Sequence, residues 1–531
     1  MTPGSIPAPF YLLPPIRLKG QKNNFMKTVP SLLLTLNQNR CMKRSLLFSG
    51  IFLCFCFSAF AQVQFRVHLD SSIKRSLTGR LFVYTTTDTA RGVPDQPDYR
   101  QPMFALNVSN WNSNNVVEVD NNAEAFSLKP SQMKPGYYKT IGIIDANHEE
   151  RGSFNPGNVY STRNVLFHVP QEGQTVVDIY LNKEIPERPF PESDSIKLVQ
   201  LKSDLLSRFH KKDVVMKAGV VLPKAYFEKP GEKFPVVYVI PGWGGSHYNA
   251  LAQRSRTGYG VGMGLPKIFV FLNPETQTPW GLHAFVDSRV NGPWGKALVE
   301  EMIPYIREHF RGATETNKTF VIGQSSGGYP SLWLPLHYPK VFGGSWAVSP
   351  DPVDFSAFTG VNLYQKNANF YRAPNGDTLG FFLQNGKYQS TMYDEVKQEQ
   401  FQGDGGQLQS FEAEFGSLGK NGKPKQLFDR ATGNVNPDVV KEWKAYDLGM
   451  FIEKNWNRLA QELKGNKIHV FAGSEDNFLL NKAVEAFAEK AKKAGADVTA
   501  EIVPGANHFT VWSSPGFLER MHGDMDKKIS Q

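Results

Sequence analysis

The 531-residue sequence predicts two domains, an all-β sandwich followed by a doubly wound α/β domain on a mostly parallel sheet. Up to about residue 182, short alternating or apolar runs are broken by Gly, Pro, Asn and Asp. Beyond residue 195, apolar runs alternate with longer amphipathic stretches. There is material for a large core: 40% of the residues are hydrophobic and 12% aromatic, with no low-complexity tract.

Residues 1–61 stand apart from both domains. Met42-Lys43-Arg44 is a charged start, Ser45 to Phe57 is apolar, and Ala59-Phe60-Ala61 is an A-x-A cleavage site. The pattern predicts a signal peptide over 42–61, translation from Met42, and a secreted or periplasmic chain that begins at Gln62. The apolar run is shorter than the about 20 residues of a membrane span, so no stable membrane anchor is expected. Cys41, Cys54 and Cys56 all fall here, which leaves the exported chain without disulfides, thiolate metal ligands or a cysteine nucleophile. Seven basic residues and no acidic one precede Gln62, so only +2 of the formal +9 belongs to the remainder. A nearly neutral body gives no electrostatic case for a nucleic-acid partner.

Strand-like runs at 63–69, 80–86, 103–109, 116–119, 137–145, 164–169 and 175–181 make up the predicted sandwich, residues 62–182. His148-Glu149-Glu150 lacks the second histidine of a zinc-protease helix and reads as a solvated turn. Residues 183–195 (KEIPERPFPESDS) carry three prolines and no periodicity, as a stiff linker would. In the α/β domain, 196–531, strands are expected at 214–222, 235–240, 267–272, 319–323, 344–349, 467–472 and 498–503, and helices at 296–310, 447–463 and 482–493. The alternation stops between 351 and 445. That aromatic-rich insertion is either a surface excursion packed on itself or a lid over the carboxyl edge of the sheet, where ligands of open α/β sheets bind.

The chemistry concentrates in three turns. Thr319 to Gly323 runs into Gln324-Ser325-Ser326-Gly327-Gly328, a G-x-S-x-G between an apolar strand and a helix-like stretch. A serine on such a strained strand-to-helix turn projects its hydroxyl, and the Ser326 N–H at the helix start faces a developing oxyanion. The strand at 235–240 enters Pro241-Gly242-Trp243-Gly244-Gly245, a turn suited to a second donor; Pro241 has no N–H, so Trp243 is the candidate. The strand at 467–472 ends in Gly473-Ser474-Glu475-Asp476, and the next in Pro504-Gly505-Ala506-Asn507-His508. This Ser…Asp…His order makes Ser325 the candidate nucleophile, His508 its base and Asp476 the orienting acid, with Glu475 the rival.

On PVVYVIPGWGG, VIGQSSGG, HVFAGSEDNFLL and VPGANHFTVW, the span from about Val214 to Phe517 resembles the putative esterase (esterase D-like) family of α/β-hydrolases. That group includes feruloyl and acetyl-xylan esterases, siderophore esterases, S-formylglutathione hydrolases and mycolyltransferases. The resemblance implies Ser325, Asp476 and His508 as triad, Trp243 and Ser326 as oxyanion donors, and no metal or organic cofactor. Pro241 departs from the His or Ser of many relatives, and the 351–445 insertion is long. The expectation is a serine esterase acting on a small-molecule or carbohydrate ester, such as an acetyl or feruloyl ester. An acyltransferase with the same triad and a non-catalytic glycan-binding protein are the alternatives. Gly244, Gln324, Trp294 and Trp512 are further candidates for substrate binding, and Trp280 also flanks the predicted site edge. Gly258 to Gly264 resembles a dinucleotide loop but precedes a strand instead of following one, so it reads as a turn.

Overall fold

The computed structural model describes residues 62–93 and 98–531. The signal-peptide expectation lies outside them. Among the described residues no helix is long and apolar enough to cross a membrane.

Ten strands form the amino-terminal unit: β1 (Gln62–Leu69), β2 (Leu77–Thr86), β3 (Met103–Trp111), β4 (Val116–Val119), β5 (Glu124–Phe126), β6 (Gly136–Asp145), β7 (Val159–Tyr160), β8 (Val165–Val169), β9 (Gln174–Leu181) and β10 (Lys183–Glu184). One sheet has the order β4-β1-β9; the other runs β10-β7-β6-β2-β3-β5, with β8 also on β6. Period-2 alternation turns Val63, Phe65 and Val67 of β1, Leu81 and Val83 of β2 and Ile179 of β9 into one core between the sheets. The β1–β9 pairing is parallel in an otherwise antiparallel arrangement. β5, β7 and β10 escaped the sequence reading because two or three residues carry no period. β10 occupies the first two residues of the expected linker, whose remainder is docked: the Arg188 guanidinium lies 4.1 Å over Tyr248 and the Phe190 ring packs parallel to His247.

The α/β unit is built on β11 (Ile196–Lys202), β12 (Val215–Val221), β13 (Val236–Ile240), β14 (Ile268–Leu272), β17 (Thr319–Gln324), β18 (Gly344–Val348), β21 (Ile468–Gly473) and β22 (Val498–Val503); β15 (Asp287–Ser288) and β16 (Gly292–Pro293) form a small separate ladder. The sheet order is β11-β12-β14-β13-β17-β18-β21-β22; the β11–β12 and β12–β14 pairings are antiparallel, and every pairing from β14–β13 onward is parallel. β11 is a further strand not anticipated. Central strands bury both faces: Val236, Tyr238 and Ile240 enter one core cluster while Val237 and Val239 enter the other. The helix expected at 296–310 is present as Trp294–Ala297, a π-helical stretch Leu298–Met302 and Ile303–His309.

Between β18 and β21 the chain folds a hairpin, β19 (Gly380–Gln384) and β20 (Lys387–Thr391), and helices Met392–Gln402, Gln407–Phe415 and Pro437–Trp443. The insertion packs in two directions. Phe358, Phe370, Phe411, Phe415, Phe428 and Trp443 are buried in the main core. The hairpin, by contrast, reaches the carboxyl edge: Leu383 N–H donates to the Asn477 carbonyl at 2.8 Å. Phe401 from the insertion packs with Phe82, Tyr84 and Ile143 on the outer face of the larger amino-terminal sheet. The three parts are thereby clamped together.

Candidate active site

Four parallel neighbours, β13, β17, β18 and β21, with β22 beside them, end on one edge, so the turns after them converge. Ser325 follows β17 directly with φ +56°, in the left-handed region, and Ser325–Gly327 forms a 3-10 turn before the helix Gly328–His337. A non-glycine residue there is strained, and strain of this kind is stored where geometry is needed. The turn is also tight. A Cβ at Gly327 would strike the carbonyl of Ile240, and one at Gly242 would lie 3.3 Å from Ser325 Cβ. The Pro241–Gly245 loop therefore packs against Ser325 itself.

His508 is 3% exposed and Asp476 1%. Asp476 Oδ2 is 3.0 Å from His508 Nδ1, while its Oδ1 accepts from the N–H of Phe478 at 2.9 Å and of Leu480 at 3.2 Å. Glu475, the rival acid, is exposed. The rings of Phe478 and Phe509 stand edge-on to the imidazole, 4.8 and 5.0 Å away. Phe382 from the hairpin packs on Phe478 in turn. Gln324, a substrate-binding candidate, donates its Nε2 to the His508 carbonyl at 2.8 Å and so ties the His508 loop to the Ser325 turn.

One residue beside Ser325 escaped the sequence reading. Asp351, three residues beyond the end of β18, is 4% exposed, and its Oδ1 accepts a hydrogen bond from Ser325 Oγ at 3.4 Å. Its N–H donates to the Ser325 carbonyl at 3.0 Å. Burial pushes the carboxyl up to about 6; the hydroxyls of Ser326 and Ser325 and the nearby His508 imidazole hold it back. Glu414, on the helix Gln407–Phe415, is buried and raised well above the usual carboxylate range by desolvation and by the charge of Asp351. A carboxyl at the end of a strand was visible in Ser349-Pro350-Asp351, but nothing in the pattern distinguished it from a turn residue.

Trp294 and Trp512 are corrected as substrate readers. Trp294 is 1% exposed and stacked 3.6 Å from the His283 ring, and Trp512 is wedged between Tyr259 and Phe517. Both are core residues, because a large apolar ring near a sheet edge is stabilised most by full burial. Gly244 stays exposed on the Pro241–Gly245 loop with φ +81°. The Gly258–Gly264 run is a turn whose glycines at 260, 262 and 264 all have positive φ. Among the described residues no group of three or more His, Cys, Asp or Glu side chains is placed to hold a metal ion.

The arrangement offers a strained serine, a buried imidazole held by a buried carboxylate, and a glycine-rich loop pressed on the serine. Those are the parts of acyl transfer through an activated hydroxyl. Residues 212–519 match the profile of the family described as putative esterase. A search of curated proteins found no match. Among solved structures the chain is similar to an S-formylglutathione hydrolase from Agrobacterium tumefaciens, at 16% identity, covering 63% of this chain and 95% of that one with a TM-score of 0.36. It is similar to a ferulic acid esterase from the anaerobic fungus Anaeromyces mucronatus, at 15% identity over 64% and 94% of the two chains with a TM-score of 0.33. A fluorophosphonate-binding serine hydrolase from Staphylococcus aureus matches at 11% identity over 62% and 98%, with a TM-score of 0.38.

Proposed function

The chain belongs to the putative esterase family, and from that premise we propose that it hydrolyses a carboxylic ester through an acyl-enzyme on Ser325. His508 takes the Ser325 proton as Oγ attacks the ester carbonyl, and Asp476 holds the imidazole with its other nitrogen toward the serine. The hydroxyl turns from Asp351 to His508 for this step. The N–H groups of Trp243 and Ser326 receive the oxyanion, each contributing about 3–4 kcal/mol of transition-state stabilisation. His508 then protonates the leaving alcohol, and water attacks the acyl-enzyme with His508 again as base.

The single observation that carries this reading is the buried His508–Asp476 pair on the sheet edge that presents Ser325 at φ +56°. We place the enzyme outside the cytoplasm, starting at Gln62 after signal-peptide cleavage, and assign as substrate class a carbohydrate-linked acetyl or feruloyl ester. The catalytic domain spans 196–531 and the β-sandwich 62–182. The test is hydrolysis of short-chain p-nitrophenyl esters, then acetylated and feruloylated oligosaccharides, by the chain from Gln62 beside Ser325→Ala. Turnover that vanishes in the variant supports the reading. Turnover that persists refutes the nucleophile.

A further inference from the structure

The amino-terminal unit meets the loop beside Ser325 through the side chain of Arg151. The loop after β6 is braced by Asn158, whose Oδ1 accepts from the N–H of Ala146 and Asn147 at 2.7 and 2.8 Å and whose Nδ2 donates to Asp145 and Ser153. Asn147 repeats the device toward Glu149. At the tip of this stiffened loop, Arg151 crosses into the α/β unit. Its Nε lies 3.1 and 3.2 Å from the two carboxylate oxygens of Glu275, and its Nη2 donates to Oε1 at 2.7 Å. The guanidinium carbon sits 4.1 Å over the ring of Trp243. Both charged side chains are nearly buried, at 11% and 13% exposure.

We propose that Arg151 is a positioning residue for the oxyanion loop, so that the β-sandwich is part of the catalytic centre and not an appended module. The proposal rests on the serine-esterase reading above. Glu275 follows β14 and Trp243 follows β13, two strands that pair side by side, so one guanidinium spans two adjacent edge loops. It uses its edge on the carboxylate and its face on the indole, a combination that the planar guanidinium permits and an ammonium does not. The indole is thereby held in one rotamer, and with it the backbone of a loop whose Gly242 already abuts Ser325. An oxyanion donor acts through its fixed direction, and a misplacement of about 1 Å costs on the order of a hundredfold in rate. The pair is also a buried one, in which loss of one partner leaves the other uncompensated.

The experiment uses the whole chain from Gln62 with p-nitrophenyl acetate and compares Arg151→Ala, Arg151→Lys, Glu275→Gln and Ser325→Ala. Arg151→Ala is expected to lower kcat about 10–100-fold with KM within about threefold, because the loss falls on the transition state. Affinity for a trifluoromethyl ketone, which forms a tetrahedral adduct on the serine, should fall in proportion to kcat/KM. Millimolar guanidinium should return part of the lost rate. Arg151→Lys, which keeps the charge but not the planar edge-and-face contact, should stay well below the parent, and Glu275→Gln should move kcat in the same direction by less. Active serines are counted with a fluorophosphonate, so a loss explained wholly by fewer folded molecules overturns the proposal. So does parental kcat and ketone affinity in Arg151→Ala, or a rise in KM alone. If Arg151→Ala does not fold, the lysine and glutamine variants decide by the same criteria. Activity surviving in Ser325→Ala sinks the esterase reading itself, whereas a silent Ser325→Ala beside an unimpaired Arg151→Ala sinks only the role of Arg151.

Discussion

Asp351→Asn should make the protein more stable at alkaline pH and leave it unchanged in acid. The carboxyl is buried beside Ser325, and among the described residues no cation lies within ion-pair distance of it. Its pKa rises from an ordinary 3.8 to about 6, chiefly through desolvation. Between these values the native state holds the proton and the unfolded chain does not. The stabilising contribution is therefore complete below pH 3.8 and is lost as pH rises through 6. About two pH units at 1.36 kcal/mol each give a native-state cost of about 3 kcal/mol at pH 8. Asparagine keeps the shape and the acceptor for Ser325 Oγ but cannot ionise. With an unfolding entropy of about 2.1 cal/mol/K per residue over a catalytic domain of about 340 residues, 3 kcal/mol corresponds to a rise in Tm of about 4 °C. Calorimetry of parent and variant at pH 4, 6 and 8 should show a gap that is absent at 4 and largest at 8. A gap independent of pH, or a less stable variant at pH 8, would refute the reasoning. Stability of this kind is commonly given up at sites of function.

Asp476→Asn should reduce kcat by about 10⁴ with little change in KM, since the imidazole would adopt the wrong tautomer; single-turnover acylation rates check this. Gly327→Ala should abolish activity and lower Tm, because the added methyl meets the carbonyls of Ile240 and Pro241 in the turn behind Ser325; parental Tm with parental turnover would contradict that packing. Amino-terminal sequencing of the exported protein should read from Gln62, and an earlier start would exclude cleavage at Ala61.

The parallel strands were legible because burial on both faces writes an unbroken apolar run, such as the VVYVI of Val236–Ile240 between Pro235 and Pro241, and local chain chemistry suffices to recognise it. The strained turn at Ser325 was legible for a similar reason: such an elbow admits few residues, and they are neighbours in sequence. The turns that carry Asp476 and His508 were legible from strand order, since each follows a strand that its apolar run marks in the sequence. What the pattern could not carry was anything decided by partners distant in the chain. The indole of Trp294 is a core residue because His283 covers it. Asp351 lies against Ser325 because β17 and β18 pair, and Gln324 is occupied because the His508 loop folds back onto it. Arg151 lies in a different domain from Trp243, and a lone arginine in a polar loop has no period, spacing or composition to mark it. Local preferences are written residue by residue, whereas burial and electrostatic pairing exist only once the chain has brought remote segments within a few ångströms. The serine turn was therefore readable from the sequence, whereas the contact of Arg151 with Trp243 came only with the tertiary structure.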